Sequence, residues 1–133
     1  MKKTKDLKFI FFCICISFIS ITITSKNSFL YVFNDWCDIN SFFTIGKGMI
    51  NGIVPYRDIF EQKGPILYLI FALSYLISNT SFIGVYLLEL ISFSVFLYYT
   101  HKTVELFLDK KASFIIIPIV SVSICTAFSF VHG

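Results

Sequence analysis

Charge is what this sequence has least of. Asp, Glu, Lys and Arg make up 14% of the 133 residues, against roughly a quarter in an average soluble domain, and that poverty excludes a soluble enzyme. The net charge of +3 is small and forms no basic stripe, so nucleic acid is excluded as a partner. Cysteine and histidine are too few and too scattered for zinc: Cys13, Cys15, Cys37 and Cys125 make no spaced pairs with histidine. Cys13 and Cys15 lie two apart, which on a helix points them to different faces, so the cysteines read as small hydrophobes. His101 and His132 stand alone near the ends of apolar runs and read as interfacial residues rather than ligands. A small-x-small cleavage site is missing after the N-terminal apolar run, which favours a retained signal anchor over a cleaved signal peptide.

What is present is apolar and aromatic. Hydrophobic residues are 56% of the chain, with 17 Phe and 7 Tyr, and the mean hydropathy is +0.81, the opposite of a disordered composition. The apolar residues come in blocks, so the chain is expected to be an all-α polytopic membrane protein. Its spans are expected at about 9–33, 82–100 and 113–130. Pro65 to Ser78 is also apolar but only about 21 Å long as a helix, short of the ~30 Å of hydrocarbon, and is expected to lie outside the spans. The four lysines before Phe9 place the N-terminus in the cytoplasm by the positive-inside rule. Lys102, Lys110 and Lys111 then also fall inside, while the interval 34–81 and the C-terminal Val131, His132 and Gly133 fall on the outer face.

The outer interval carries the chemistry-bearing residues Asp35, Asp38, Lys47, Arg57, Asp58, Glu61 and Lys63. Phe42, Ile45 and Met49 share one helical face, flanked by Phe43 and Ile50, so a surface helix is expected over about 41–51, lying along the bilayer and ended by Gly52. A second juxtamembrane helix is expected over 65–78. Pro65 suits its first position, where a missing N–H costs nothing, and the next free N–H groups carry the positive end of the helix dipole. Lys63, with Arg57, would add full charge there and make an anion site. The alternative is that Arg57, Asp58, Glu61 and Lys63 pair with one another on a solvated loop. Asp38 fits two roles, an N-cap for the surface helix or a general base, and Asp35 is either a second acid or a turn residue. Glu89 lies at membrane depth, where an ionisable side chain is functional or held by a structural hydrogen bond, and needs a partner either way. Asn79, Thr80 and Ser81 match a glycosylation sequon of low specificity.

The stretch DINSFFTIGKGMINGIVPYRDIFEQKGPILYLIFAL resembles the first outer loop of bacterial polytopic glycosyltransferases of the GT-C fold, the family 39 and protein-mannosyltransferase-like group that includes the aminoarabinose transferases. The match lies in an Asp before a juxtamembrane helix, then G-x-x-P-Y-x-D at Gly52 to Asp58, then E-x-K-G-P at Glu61 to Pro65. It covers about Asp38 to Leu73. The resemblance implies transfer of a sugar from a polyprenyl-phosphate-linked donor to an acceptor at the outer face of the membrane. By this resemblance Asp38 matches the catalytic Asp and Lys63 the lysine near the donor phosphate, with Arg57 as a further phosphate candidate and Asp58 and Glu61 second-tier; Asp35 and Glu89 stay second-tier candidates from their own positions. No metal ligand set is read, and the implied partners are the bilayer and the lipid-linked donor. Ile39 stands where members often carry a second acid. Members are also far longer, so the chain is expected to be the N-terminal part of such an enzyme, inactive alone and completed by a C-terminal portion. Competing expectations are a small non-enzymatic membrane protein that assists lipid-linked sugar transport, and a remnant without function.

Overall fold

The computed structural model describes residues 2–32 and 34–131, with side chains over 7–32, 34–109 and 112–127. The protein is all-helical: α1 (Lys2–Thr24), α2 (Cys37–Ile50), α3 (Pro65–Ile77), α4 (Ile83–Val104) and α5 (Lys110–Val131), with no strand among the described residues. Among the described residues two helices are long and apolar enough to cross a membrane, Leu7–Thr24 within α1 and Ile83–Val104. In each window 22% is buried, so the chain itself leaves most of their apolar surface uncovered. The described apolar part of α5, Ala112–Ala127, is shorter.

The chain divides into two compact units, Met1–Ser25 with Glu89–Gly133, and Lys26–Leu88. In the first, α1 and α5 run parallel and α4 runs against both. Phe9 near the start of α1 meets His101 at the end of α4 (ring centroids 3.7 Å) and Phe114 at the start of α5 (5.0 Å). At the other end Ser25 donates to Glu89 at 2.6 Å, and further along α1 Ser20 pairs with Ser121 of α5 at 2.7 Å. Phe9, Cys13, Leu97 and Ile117 form the buried core here. Small side chains at Cys13, Ser17 and Ser121, all buried, set α1 close against α5, since little bulk separates the backbones.

Several expectations are corrected. The first apolar helix does not run to about 33 but ends at Thr24. Thr24 bonds back to Ser20 O at 2.8 Å, and the chain turns through buried Asn27 and Ser28, so Phe29 to Val32 lie outside the helix; Phe33 lies outside the described residues, as do His132 and Gly133. His101 is not an interfacial side chain: it is 4% exposed, its Nδ1 2.5 Å from Ser113 Oγ and its Nε2 3.4 Å from Glu105. Cys13 and Cys125 are buried, whereas Cys37 is exposed; all four cysteines are free.

The second unit is built on α2 and α3. The face of α2 expected to lie along a bilayer packs instead on α3, with Phe42, Ile45, Tyr68, Phe71 and Val85 forming the core. The close approach needs glycine at position 46, where a Cβ would stand 2.6 Å from the backbone of Phe71 and Ala72. It is α3 that presents an exposed apolar stripe, Ile66, Leu69, Leu73 and Leu76 among it, spaced three and four apart on one face.

Candidate functional site

The second unit, built on α2 and α3, carries most of the sequence candidates. Phe42 meets Tyr68 and Phe71 (ring centroids 6.3 and 5.6 Å), Gly46 faces Phe71 and Ala72, and Lys47 stands 6.0 Å over the Tyr75 ring. Phe43, one residue after Phe42, meets the same Tyr75 ring at 6.0 Å, so α2 meets α3 around the Gly46 contact. Asp38 is in the first turn of α2 and Lys63 lies two residues before α3. Both belong to the second unit and stand beside helix starts, and at the α3 start Leu67 N already donates to Gly64 O at 3.1 Å.

Asp38 is not the cap of its helix. Trp36 holds the N-cap position, without a side-chain cap bond, because asparagines organise this turn instead. Asn34, 5% exposed, accepts from Trp36 N at 2.9 Å and donates to Asn27, and Asn40 donates back to the carbonyls of Asn34 and Trp36. These bonds start α2 at Cys37, four residues before the expected position, and leave Asp38 exposed inside the first turn, where its charge complements the helix dipole.

The segment between the helices returns the chain to the α3 start. Gly52 takes the left-handed conformation (φ +89°) that ends α2, and Val54 opens a closed turn. Val54 N donates to Asp58 Oδ2 at 2.8 Å while Val54 O accepts from Asp58 N at 2.9 Å and from Arg57 N at 3.3 Å. Tyr56, at φ 68°, sits in the left-handed region that costs a side chain of this size about 1 kcal/mol or more; its hydroxyl donates to Lys63 O. On the other side Lys63 N donates to the hydroxyl of fully buried Tyr68 at 3.2 Å. Two tyrosines thus fix the Lys63 backbone while its side chain stays exposed.

The other candidates divide. Arg57 makes a bidentate pair with Asp58, both contacts at 2.8 Å, which holds the Asp58 carboxyl below the usual carboxylate range, helped by Val54 N–H, and raises Arg57. The pair is a turn clamp, and the charges left beside the α3 start are those of Lys63 and Glu61. Glu61 accepts from Gln62 N at 2.8 Å. Asp35 pairs with Lys26 at 2.8 Å, and that bond holds its carboxyl low. Glu89 lies in the other unit, where it accepts a hydrogen bond from Ser25 at 2.6 Å. Among the described residues no three His, Cys, Asp or Glu side chains stand close enough to hold a metal.

Asp58 yields a pH prediction. Its folded value lies below the ordinary 3.8, so its contact to Val54 is complete above that value and is lost as pH falls through the lower one. The protection factor of the Val54 amide is expected to be equal at neutral and mildly acidic pH and to drop only well below the ordinary carboxylate value. Asp58→Asn should lose it at neutral pH.

Sequence reasoning missed Tyr56, Tyr68 and Asn34. Tyrosine beside Pro55 and asparagine before Trp36 are turn signals, but nothing in their spacing announces what each would bond. No family model matches the chain, and no curated protein and no solved structure is significantly similar to it.

Proposed function

We propose that the Lys63–α3 start binds the phosphate of a polyprenyl-phosphate-linked sugar, and that the protein is the N-terminal part of a GT-C-type membrane glycosyltransferase working at the outer face of the cell membrane. In this reading α1, α4 and α5 are three spans, which the alternating directions of these helices favour. The observation that carries the proposal is that Asp38, in the first turn of α2, and Lys63, two residues before α3, are both exposed in the same compact unit.

The chemistry follows from the residue types. An acceptor hydroxyl oxygen attacks the anomeric carbon, the bond from that carbon to the phosphate oxygen breaks, and polyprenyl phosphate leaves with the bonding electron pair. Its oxygen gains negative charge as the bond lengthens. Lys63 and the positive end of the α3 dipole stabilise that charge, and Asp38 takes the hydroxyl proton as general base. Arg57, clamped on Asp58, shapes the turn that carries Lys63. The apolar stripe on α3 seats the site at the lipid boundary, where a polyprenyl tail is already dissolved.

The test is a titration of the detergent-solubilised chain with a short-chain polyprenyl phosphate. A charge-assisted contact contributes about 1.5–3 kcal/mol, so Lys63→Ala is expected to weaken binding about tenfold or more, with Asp38→Ala close to wild type. Binding indifferent to Lys63 would sink the donor site and leave the non-enzymatic membrane protein in its place.

A further inference from the structure

The turn that joins α4 to α5 is apolar where a solvated turn is polar. Leu106, Phe107 and Leu108 follow one another there, 79%, 81% and 49% exposed, and an exposed apolar run of this kind is a fault in a fold unless it has a function. Two acids bracket it. Glu105 is held on the α4 side, its carboxylate oxygens 3.3 Å from Lys102 Nζ and 3.4 Å from His101 Nε2. On the other side Asp109 O accepts from Ser113 N at 3.0 Å and opens α5.

The backbone of this turn can leave bulk water at little cost. Glu105 N donates to His101 O at 2.9 Å, Leu106 N to Thr103 O at 3.1 Å, and Phe107 N and Leu108 N both to Val104 O at 3.0 and 2.9 Å. Every amide from 105 to 108 thus has a partner within the turn, and none of them needs a water molecule. Length then sets the depth of the turn. The 22 residues of α4 measure about 33 Å, against ~30 Å of hydrocarbon. With Ile83 at one hydrocarbon edge, Val104 therefore stands only about 3 Å beyond the other, and any tilt of the helix draws it further in. The interfacial layer is about 5–7 Å deep on each side. Phe107 N lies 3.0 Å from Val104 O, so the three apolar side chains start inside that layer.

We propose that Leu106, Phe107 and Leu108 insert into the headgroup–acyl boundary of the bilayer and anchor the α4–α5 turn there, lipid rather than another protein being their partner. The inference rests on α4 crossing a membrane and is independent of the donor site. Lipid is within reach of these side chains without any further chain to bring it, whichever face of the membrane the turn occupies. The described charges beside them, Lys102 against Glu105 and Asp109, give no preference for an anionic headgroup. Recognition is therefore apolar, and a zwitterionic lipid suffices.

Tryptophan fluorescence of the full chain in phosphatidylcholine vesicles tests it. The sequence has one tryptophan, Trp36, whose side chain makes no cap bond, so Trp36→Phe provides a silent background. Phe107→Trp and, separately, Leu106→Trp then report on the turn from exposed positions that carry no packing of the core. Val95→Trp, at a half-exposed position in the middle of α4, reports on the span itself and is expected to be quenched most by lipid brominated at the chain ends. Both turn variants are expected to be quenched several-fold more by lipid brominated next to the glycerol than at the chain ends, and to be shielded from aqueous acrylamide. Free quenching of both turn variants by acrylamide, with none by lipid, would place the turn in water and overturn the proposal. Shielding from acrylamide and from every brominated lipid would place it against protein, with the same consequence. A Val95→Trp that no brominated lipid reaches would remove the span, and the proposal with it.

Discussion

Gly46→Ala is expected to loosen α2 from α3 and abolish the candidate site, although alanine is the better helix former. The helix itself would gain about 0.8–1 kcal/mol. Against that, the new methyl would stand 2.6 Å from the Ala72 nitrogen, 2.6 Å from the Phe71 carbonyl carbon and 2.9 Å from Phe71 Cβ. Two of those three atoms are backbone, so no rotamer change relieves the clash and the helices must separate. Overpacking of this kind costs about 1–3 kcal/mol, and separation also opens the ring contacts of Phe42 with Tyr68 and Phe71. The net expectation is destabilisation of the unit by about 1–3 kcal/mol, read as an earlier midpoint in denaturation from mixed micelles and as faster tryptic cleavage at Arg57 and Lys63.

Gly48→Ala, two residues along the same helix, supplies the control. There the closest neighbour is Ile53 Cδ1 at 3.1 Å, the far end of a flexible side chain. It can rotate away, so the propensity gain prevails and the variant should match or exceed wild type. Gly84→Ala should behave like Gly46→Ala, because its Cβ would run into the backbone carbonyl of Ser74. If Gly46→Ala and Gly48→Ala were equally stable, the described packing of α2 on α3 would be wrong.

This pair of glycines shows how far the sequence could be read. Helix type was legible throughout, because apolar residues three and four apart leave few alternatives, and Pro65 marked the α3 start to the residue. Partners were not legible. The period that puts Phe42, Ile45 and Met49 on one face says that the face is buried, not whether lipid or α3 buries it. Gly46 resolves this, but in sequence it reads only as a weak helix position. Asp38 and Lys63 were legible as charges next to helix starts; the asparagine turn that leaves Asp38 inside the first turn and the tyrosines that hold the Lys63 backbone were not. His101 was misread for the same reason: its partners Ser113 and Phe9 come from α5 and α1, and no local pattern points to them.

Tyr68 joins the core of the second unit to its exposed end, and two substitutions there separate the two functions. The ring is fully buried, within 6.3 Å of Phe42 and 6.2 Å of Tyr56 between centroids, while its hydroxyl accepts from Lys63 N at 3.2 Å. Tyr68→Ala removes the ring and leaves a cavity that the clamped turn cannot fill, at a cost of about 3–5 kcal/mol. The unit should lose its cooperative unfolding, and binding of polyprenyl phosphate should go with it. Tyr68→Phe keeps the packing and removes only the acceptor, at about 0.5–1.5 kcal/mol. Lys63 N–H then turns to water, and one of the two bonds that fix the Lys63 backbone is gone. Tyr68→Phe should therefore unfold near the wild-type midpoint yet bind polyprenyl phosphate several-fold more weakly, because the ammonium is no longer pre-positioned. A Tyr68→Phe variant with unchanged affinity would mean that Lys63 reaches the phosphate from a loose chain, and that the two tyrosines serve the turn alone.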